Sequence, residues 1–293
     1  MIYNPTKVSD TFRATLTTRL EADGWPETLW LETSAEDPGH AMTAQAVAAE
    51  VDLVIGAGGD GTIRVVADEL AGTGIPMAVI PAGTGNLLAR NLGIPLVEDA
   101  AIEVALGQTT RTIDLVATTI DGEPGEHFAV MAGVGVDAMI MDETNPDLKA
   151  KIGSAAYFIA GAKAVGRLPM NMTIKIDDGR VRKRRPMLCV IGNVGELTGN
   201  ITLIPEAQPD DGLIDIYVAS PHKITHWIRV FVRLITRRKH RDDQVDSWRG
   251  RRVEVHIAHK KENYQLDGDV AGECHVLVAE VRPGALQVRV PRS

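Results

Sequence analysis

Cysteine is nearly absent from this 293-residue chain: Cys189 and Cys274 are the only two, they lie 85 residues apart, and neither belongs to a CxxC pair. That excludes a disulfide scaffold and a finger-type zinc site, and it fits a reducing compartment. Long apolar runs are missing too. Uncharged apolar runs such as Ala155 to Ala162 fall far short of the roughly 20 residues that cross a bilayer, and the opening MIYNPTKVSD has no apolar core behind basic residues. Secretion and membrane spanning are both disfavoured. The eight histidines are scattered, without HExxH or close ligand spacing, so none is assigned to a metal.

What is present is an ordinary soluble composition, 44% hydrophobic and 24% charged, too apolar for disorder and long enough for two domains. The net charge of −8 hides an asymmetry. Residues 1–110 carry 15 Asp and Glu against 5 Lys and Arg, whereas residues 111–293 carry 24 against 26. An acidic first half is a poor nucleic-acid binder, because affinity for phosphates comes mainly from Lys and Arg. The basic charge is local, in Arg182-Lys183-Arg184-Arg185 and again from Arg229 to Arg241.

From residue 1 to about 110 the pattern alternates strand and helix. Strands are expected at Ile2–Tyr3, Leu29–Glu32, Val51–Ile55 and Met77–Ile80, with helices around Thr11–Asp23, Ala41–Glu50, Ile63–Leu70, Leu87–Asn91 and Asp99–Leu106. Strands separated by helices imply a parallel sheet covered on both faces. Beyond 110 the texture changes to short strand-like segments: Thr112–Thr119, Phe128–Ala132, Met172–Ile176, Met187–Ile191, Leu213–Val218, Val253–Ile257, Val276–Val281 and Leu286–Val290. Asp-Gly turns at 121, 178, 211 and 267 punctuate them, which predicts a mainly antiparallel second domain over 111–293, interrupted by helices near Ser154–Val165 and Ile224–Arg238. The fold class is α/β: a three-layer N-terminal domain followed by a β-rich one.

Two segments carry chemistry. In Val51–Thr62 an apolar strand runs into Gly58, Gly59, Asp60, Gly61 and Thr62 and then a helix. Glycines there let backbone amides approach a ligand, and a helix N-terminus favours anions, which makes a phosphate cradle. The bland alternative is a tight turn capped by Thr62. Asp60 weighs against it, since a carboxylate beside phosphates requires a cation between them and so implies Mg²⁺. Met77–Asn86 repeats the arrangement with Gly83, Thr84, Gly85 and Asn86. Loops at neighbouring ends of a parallel sheet face one crevice, where ligands bind. Neither segment has the GxxxxGK[ST] spacing of a P-loop, and GxGxxG with a ribose-binding acid is not convincingly present.

With Asn4-Pro5, Gly58-Gly59-Asp60-Gly61-Thr62 and Pro81-Ala82-Gly83-Thr84-Gly85-Asn86 together, the sequence resembles the diacylglycerol kinase and sphingosine kinase superfamily, in particular soluble bacterial lipid kinases. The resemblance runs the length of the chain through Asp114, Gly133–Asp137, Lys151–Tyr157, Asp211-Gly212 and Leu266-Asp267-Gly268-Asp269. It implies an ATP- and Mg²⁺-dependent kinase in which the two domains form a cleft and the acceptor lipid enters between them. Asn4, Lys7, Gly58 to Thr62, Gly83, Thr84 and Asn86 would hold the nucleotide, with Asp60 arranging Mg²⁺. Asp267 matches the family's general base, although by pattern alone LDGD reads as a hairpin turn. Asp269 stands where many members have glutamate. Asp211 and the Leu213 carbonyl match a structural Mg²⁺ site of some members, and a plain β-turn explains them equally well. Two positions depart from the pattern: Leu87 stands where many members carry aspartate, and Asn4-Pro5-Thr6-Lys7 lacks the usual Ser-Gly.

A lipid kinase without a spanning helix works from the bilayer surface. In Thr225–Arg241, Trp227, Phe231, Leu234 and Ile235 recur at helical spacing beside six cations and no acid, which suits an anionic lipid surface. A helix covering the second domain's core is the equal alternative. The Ser154–Val165 stretch reads as core, and Arg182–Arg185 as a solvated strand end. The expected protein is a cytoplasmic, peripherally membrane-associated lipid kinase with no nucleic-acid partner, a homodimer being one allowed assembly. Its rivals are an NAD kinase, which shares the GGDGT loop, and a nucleotide-responsive lipid-binding protein that has lost catalysis.

Overall fold

Strands that are apolar on both faces need cover on both sides, and in the first third of the chain they receive it. The computed structural model describes residues 1–25, 27–135, 169–197, 202–220 and 245–292. The helical stretches expected at 154–165 and 224–238, and the 151–157 segment, lie outside the described residues.

The chain divides into two units, Met1–Leu115 with Pro283–Ser293, and Val116–Arg282. Unit one contains strands β1 (Ile2–Tyr3), β2 (Leu31–Glu32), β3 (Val54–Gly58) and β4 (Met77–Pro81) and helices α1 (Asp10–Ala22), α2 (His40–Ala48), α3 (Asp60–Glu69), α4 (Leu87–Asn91) and α5 (Glu98–Leu106). The strands pair in parallel in the order β2-β1-β3-β4. Alternate residues of β3 face opposite layers. Ile55 and Ala57 pack with Phe12, Leu16 and Leu20 of α1 and Ala101, Ile102 and Ala105 of α5. Gly56 faces the other way, where a Cβ would meet Ile63 and Val66 of α3 and Met77. This is the expected three-layer arrangement. Helix starts follow local chemistry: Ser9 Oγ accepts the Phe12 N–H at the head of α1, and the Asp37 carboxylate accepts the N–H groups of Gly39, His40 and Ala41 at the head of α2. Leu16 is fully buried, so truncating it to alanine would cost about 2–5 kcal/mol.

Unit two is built of strands. The chain enters it along β5 (Thr110–Ile120), then β6 (Glu123–Pro124), β7 (Met131–Gly135), β8 (Met172–Ile176), β9 (Arg182–Arg184), β10 (Leu188–Gly192), β11 (Ile214–Ala219), β12 (Val245–Gly250), β13 (Arg252–Ile257), β14 (Glu262–Leu266) and β15 (Asp269–Cys274), and leaves along β16 (Val276–Arg289). One antiparallel sheet runs β12-β11-β10-β7-β14-β15, and β16, β13, β8 and β9 pair antiparallel in another. Their alternate residues share one core. Ala132, Val134, Cys189, Ile191, Ile214 and Ile216 come from the first sheet, and Met172, Ile174, Val253, Val255, Leu277 and Ala279 from the second. Both cysteines are buried and neither is in a disulfide.

Two details differ from a reading that cuts the chain once near residue 110. The last stretch, 283–293, belongs to unit one, where Val288 pairs in parallel with Met77 and the Gly72 N–H bonds to the Ala285 carbonyl. The two strands expected at 276–281 and 286–290 are one: β16 runs on through Pro283 and Gly284, the glycine taking a φ of +63° with its N–H bonded to Asp114 Oδ1 at 2.8 Å.

Candidate active site

Asn4, Gly58–Thr62 and Pro81–Asn86 all follow the carboxyl ends of adjacent parallel strands, β1, β3 and β4. The Asn4 N–H bonds to the Ala57 carbonyl, and the Ala82 N–H to the Gly58 carbonyl, so the three segments leave the sheet in register. In open parallel sheets this edge is where ligands lie.

The two glycine loops touch. A Cβ on Gly83 would come within 2.6 Å of the Gly59 Cα, one on Gly58 within 2.7 Å of Thr62, and one on Gly85 would overlap Asp60 Oδ2. Gly83 and Gly85 are therefore demanded first by loop-to-loop packing, and Gly58 by the tight turn into α3 within its own loop. Asp60 is the tie: its Oδ2 accepts the Asn86 N–H at 2.9 Å and its Oδ1 the Leu87 N–H at 2.6 Å. Asn86 sits at φ +50°, a conformation asparagine tolerates, and its side-chain amide closes a paired hydrogen bond with the Gly83 backbone. Arg90 Nε donates to the Gly85 carbonyl. Thr84 is exposed at the loop tip and Thr62 is buried.

The third segment is looser. Asn4 Oδ1 accepts both the N–H and the Oγ1–H of Thr6, a local turn, and Lys7 is exposed. A phosphate contact suits Lys7 as a flexible point charge.

For Mg²⁺, the donors at the loops amount to the single carboxylate of Asp60, since Leu87 is apolar and 4% exposed. An ionised carboxylate has about four acceptor directions, so two N–H bonds do not exhaust it. One carboxylate plus substrate phosphates is a usual set for Mg²⁺, so the loops fit the ion. The 211–213 segment fits it poorly. Asp211 Oδ1 accepts the Leu213 N–H, the mark of a plain turn, and Oδ2 faces the Arg249 guanidinium at 3.5 Å. Arg249 also grips Asp215 through two nitrogens, each 3.1 Å from a carboxylate oxygen. Burial nonetheless pushes the Asp215 carboxyl upward.

In unit two, Asp267 and Gly268 form the two-residue turn between β14 and β15, with φ of +49° and +98°. The hairpin reading of LDGD is thus realised. The side chain does more than a turn requires. Asp267 is 3% exposed, and its carboxylate accepts three backbone N–H groups: Val130 and Met131 on Oδ1 at 2.9 Å, and Ala129 on Oδ2 at 3.0 Å. The Asp267 N–H returns a bond to the Met131 carbonyl. From the other side, Asn193 holds the same segment. Its N–H bonds to the Val130 carbonyl and its Nδ2 to the Ala129 carbonyl. Gln265, fully buried, caps the turn by accepting the Gly268 N–H. Asn193, Gln265 and the 129–131 backbone went unnoticed in the sequence. The one available signal is an asparagine directly after a fully apolar strand. Asp269 is exposed beyond the turn.

Residues 1–118 match the diacylglycerol kinase catalytic domain, and residues 129–290 match the YegS C-terminal NAD kinase beta sandwich-like domain. The chain belongs to the diacylglycerol kinase family. It is 33% identical over 260 residues to a diacylglycerol kinase of Mycobacterium tuberculosis, covering 88% of this chain and 82% of the relative. A diacylglycerol kinase of Bacillus subtilis is 30% identical over 280 residues, covering 93% and 89%. A crystal structure of a diacylglycerol kinase from Bacillus anthracis shares the fold, with a TM-score of 0.76 at 24% identity over 99% of this chain and 96% of that one. This family member is accordingly an enzyme, a lipid kinase, and the paired loops of unit one lie within its catalytic-domain match. No described helix is long and apolar enough to cross a membrane.

Proposed function

We propose that this family member transfers the γ-phosphate of ATP, with Mg²⁺, to the free hydroxyl of diacylglycerol or a related lipid. The observation that carries the reading is the locked pair of glycine loops at the sheet edge, with the Asp60 carboxylate set between them. In this reading Asn4, Lys7, Gly58 to Thr62, Gly83, Thr84 and Asn86 hold the triphosphate through backbone N–H groups and small side chains. Bound Mg²⁺ supplies charge neutralisation for the phosphates as the β–γ bond breaks. The lipid oxygen forms a bond to the γ-phosphorus, ADP departs, and the hydroxyl proton passes to the Asp267 carboxylate. Positioned base catalysis of this kind contributes about 10²–10⁴ in rate. Asp267 is suited to a fixed role because three N–H groups hold its carboxylate in one orientation. Asp269, exposed one residue past the Asp267–Gly268 turn, is assigned a supporting part.

The enzyme works from the cytoplasmic surface of an anionic membrane in this proposal, helped by the basic, apolar-striped segment 225–241. The test is transfer of labelled phosphate from ATP to diacylglycerol, monoacylglycerol, sphingosine, phosphatidylglycerol and NAD, with and without Mg²⁺. Labelling of an acyl- or sphingosine-based lipid that requires Mg²⁺ supports the reading. Labelling of NAD alone overturns it.

A further inference from the structure

Strand β9 is an edge: it pairs with β8 and, among the described residues, with nothing on its other side. Natural edge strands often carry a lysine that blocks strand addition. This one carries far more than that task needs. Residues 175–185 hold six Lys or Arg and two Asp, in a chain whose net charge is −8. The strand's alternation sorts them. Arg182 and Arg184 turn to one face, and their guanidinium carbons lie 5.3 and 5.2 Å from the centroid of the same Trp248 ring. Arg184 Nε also bonds to Asp246. Lys183 and Arg185 turn to the other face with Val181, and all three are exposed, as is Arg180 in the turn before them.

Gathering two guanidiniums at one indole is costly unless something favours the cations there. Asp246 offsets one of them, and the ring quadrupole contributes to both. Stacking also removes rotamer freedom in advance, so less is lost when the N–H donors meet an anion. An extended strand with cations on both faces fits an anionic partner that is itself extended. One feature favours a bilayer over a nucleic acid: Val181, a large apolar side chain, is 57% exposed amid the cations.

We propose that the β9 edge, organised by Arg182 and Arg184 on Trp248, docks this enzyme onto anionic lipid headgroups. The inference rests on the lipid-kinase reading. The experiment compares the full chain with the variant Arg180→Gln, Lys183→Gln, Arg185→Gln. Binding is measured by cosedimentation with vesicles of phosphatidylglycerol and phosphatidylcholine, and of phosphatidylcholine alone, at about 0.1 M salt, where surface charges beyond a Debye length are screened. Wild type should prefer the anionic vesicles, and the variant should lose at least about tenfold in affinity for them. Single Lys183→Gln and Arg185→Gln changes should each flatten the salt dependence, which serves if the triple variant folds poorly. Kinase activity on diacylglycerol in neutral detergent micelles, which need no charged surface, should be equal in wild type and variant. Equal vesicle binding by the variant, or no preference of wild type for anionic vesicles, overturns the docking surface while micelle activity leaves the kinase reading standing. Tighter binding to duplex DNA than to vesicles, lost in the same variant, overturns it in favour of nucleic acid. Absence of micelle activity overturns the underlying reading instead.

Discussion

Asp60 Oδ1 and the Leu87 N–H are 2.6 Å apart, so a carboxylate on the first glycine loop holds the start of the helix that follows the second. Its other oxygen holds Asn86. Replacing Asp60 with asparagine keeps one acceptor and turns an NH₂ group toward a backbone N–H. The expected loss is about 1–3 kcal/mol of stability, with ATP-dependent turnover per folded molecule down by more than a hundredfold. Thermal unfolding and a labelled-ATP assay measure the two effects separately. A variant with unchanged turnover would remove Asp60 from the site.

Gly83→Ala tests the contact between loops. The new methyl group would lie 2.6 Å from the Gly59 Cα, a backbone atom that cannot swing aside. Overpacking of this kind costs about 1–3 kcal/mol. The separation of the loops should raise KM for ATP about tenfold while leaving KM for lipid nearly unchanged. Equal rises in both constants would argue against a nucleotide role for this pair.

Asp267→Asn has two consequences that must be kept apart. The carboxylate accepts from Ala129, Val130 and Met131, and an amide cannot accept on both sides, so about 1–3 kcal/mol of stability should be lost. As the base, it should also lose about 10²–10⁴ in turnover. The decisive quantity is turnover per folded molecule, obtained by measuring activity and unfolding on the same sample. If that quantity matches wild type, Asp267 is a clamp and nothing more.

Asp121 gives unit two an acid-sensitive ion pair. The Lys261 ammonium, 2.8 Å away, and then the backbone N–H of Val276 hold its carboxyl down to about 2 from an ordinary 3.8. A depressed folded value means the stabilisation is complete above about pH 4 and drains away as pH falls toward 2. The melting temperature should therefore drop across that window. Lys261→Met should make the drop shallower, because the folded carboxyl then titrates closer to its unfolded value. Parallel curves for the two proteins would refute the assignment.

Where residues are apolar in a regular pattern, the elements were legible. The bounds expected for β1, β8 and α4 coincide with those observed, and α1, α3 and α5 begin or end within a few residues of theirs. The polar strands escaped notice. Most of β15 is exposed and β14 reads Glu-Asn-Tyr-Gln-Leu, so backbone pairing defines both and no alternation announces them. Phe128–Ala132 was expected as a strand, yet β7 begins only at Met131, because the N–H groups of 129–131 turn to the Asp267 carboxylate. The two loops at the sheet edge were legible as glycines after strands. That the glycines serve to bring the loops together was not, because the spacing of one loop carries no information about its neighbour.

The sequence by itself determined the succession of doubly apolar strands and helices, the glycine turns after β3 and β4, and the Asp-Gly hairpin at 267, since each follows from residues adjacent along the chain. Only the tertiary structure decided what the two aspartates do. Asp60 meets N–H groups 26 and 27 residues away, and Asp267 meets three that are 136 to 138 residues away. Hydrogen bonds act over about 3 Å of space whatever the separation in sequence, so such partners become neighbours only when the sheets have formed.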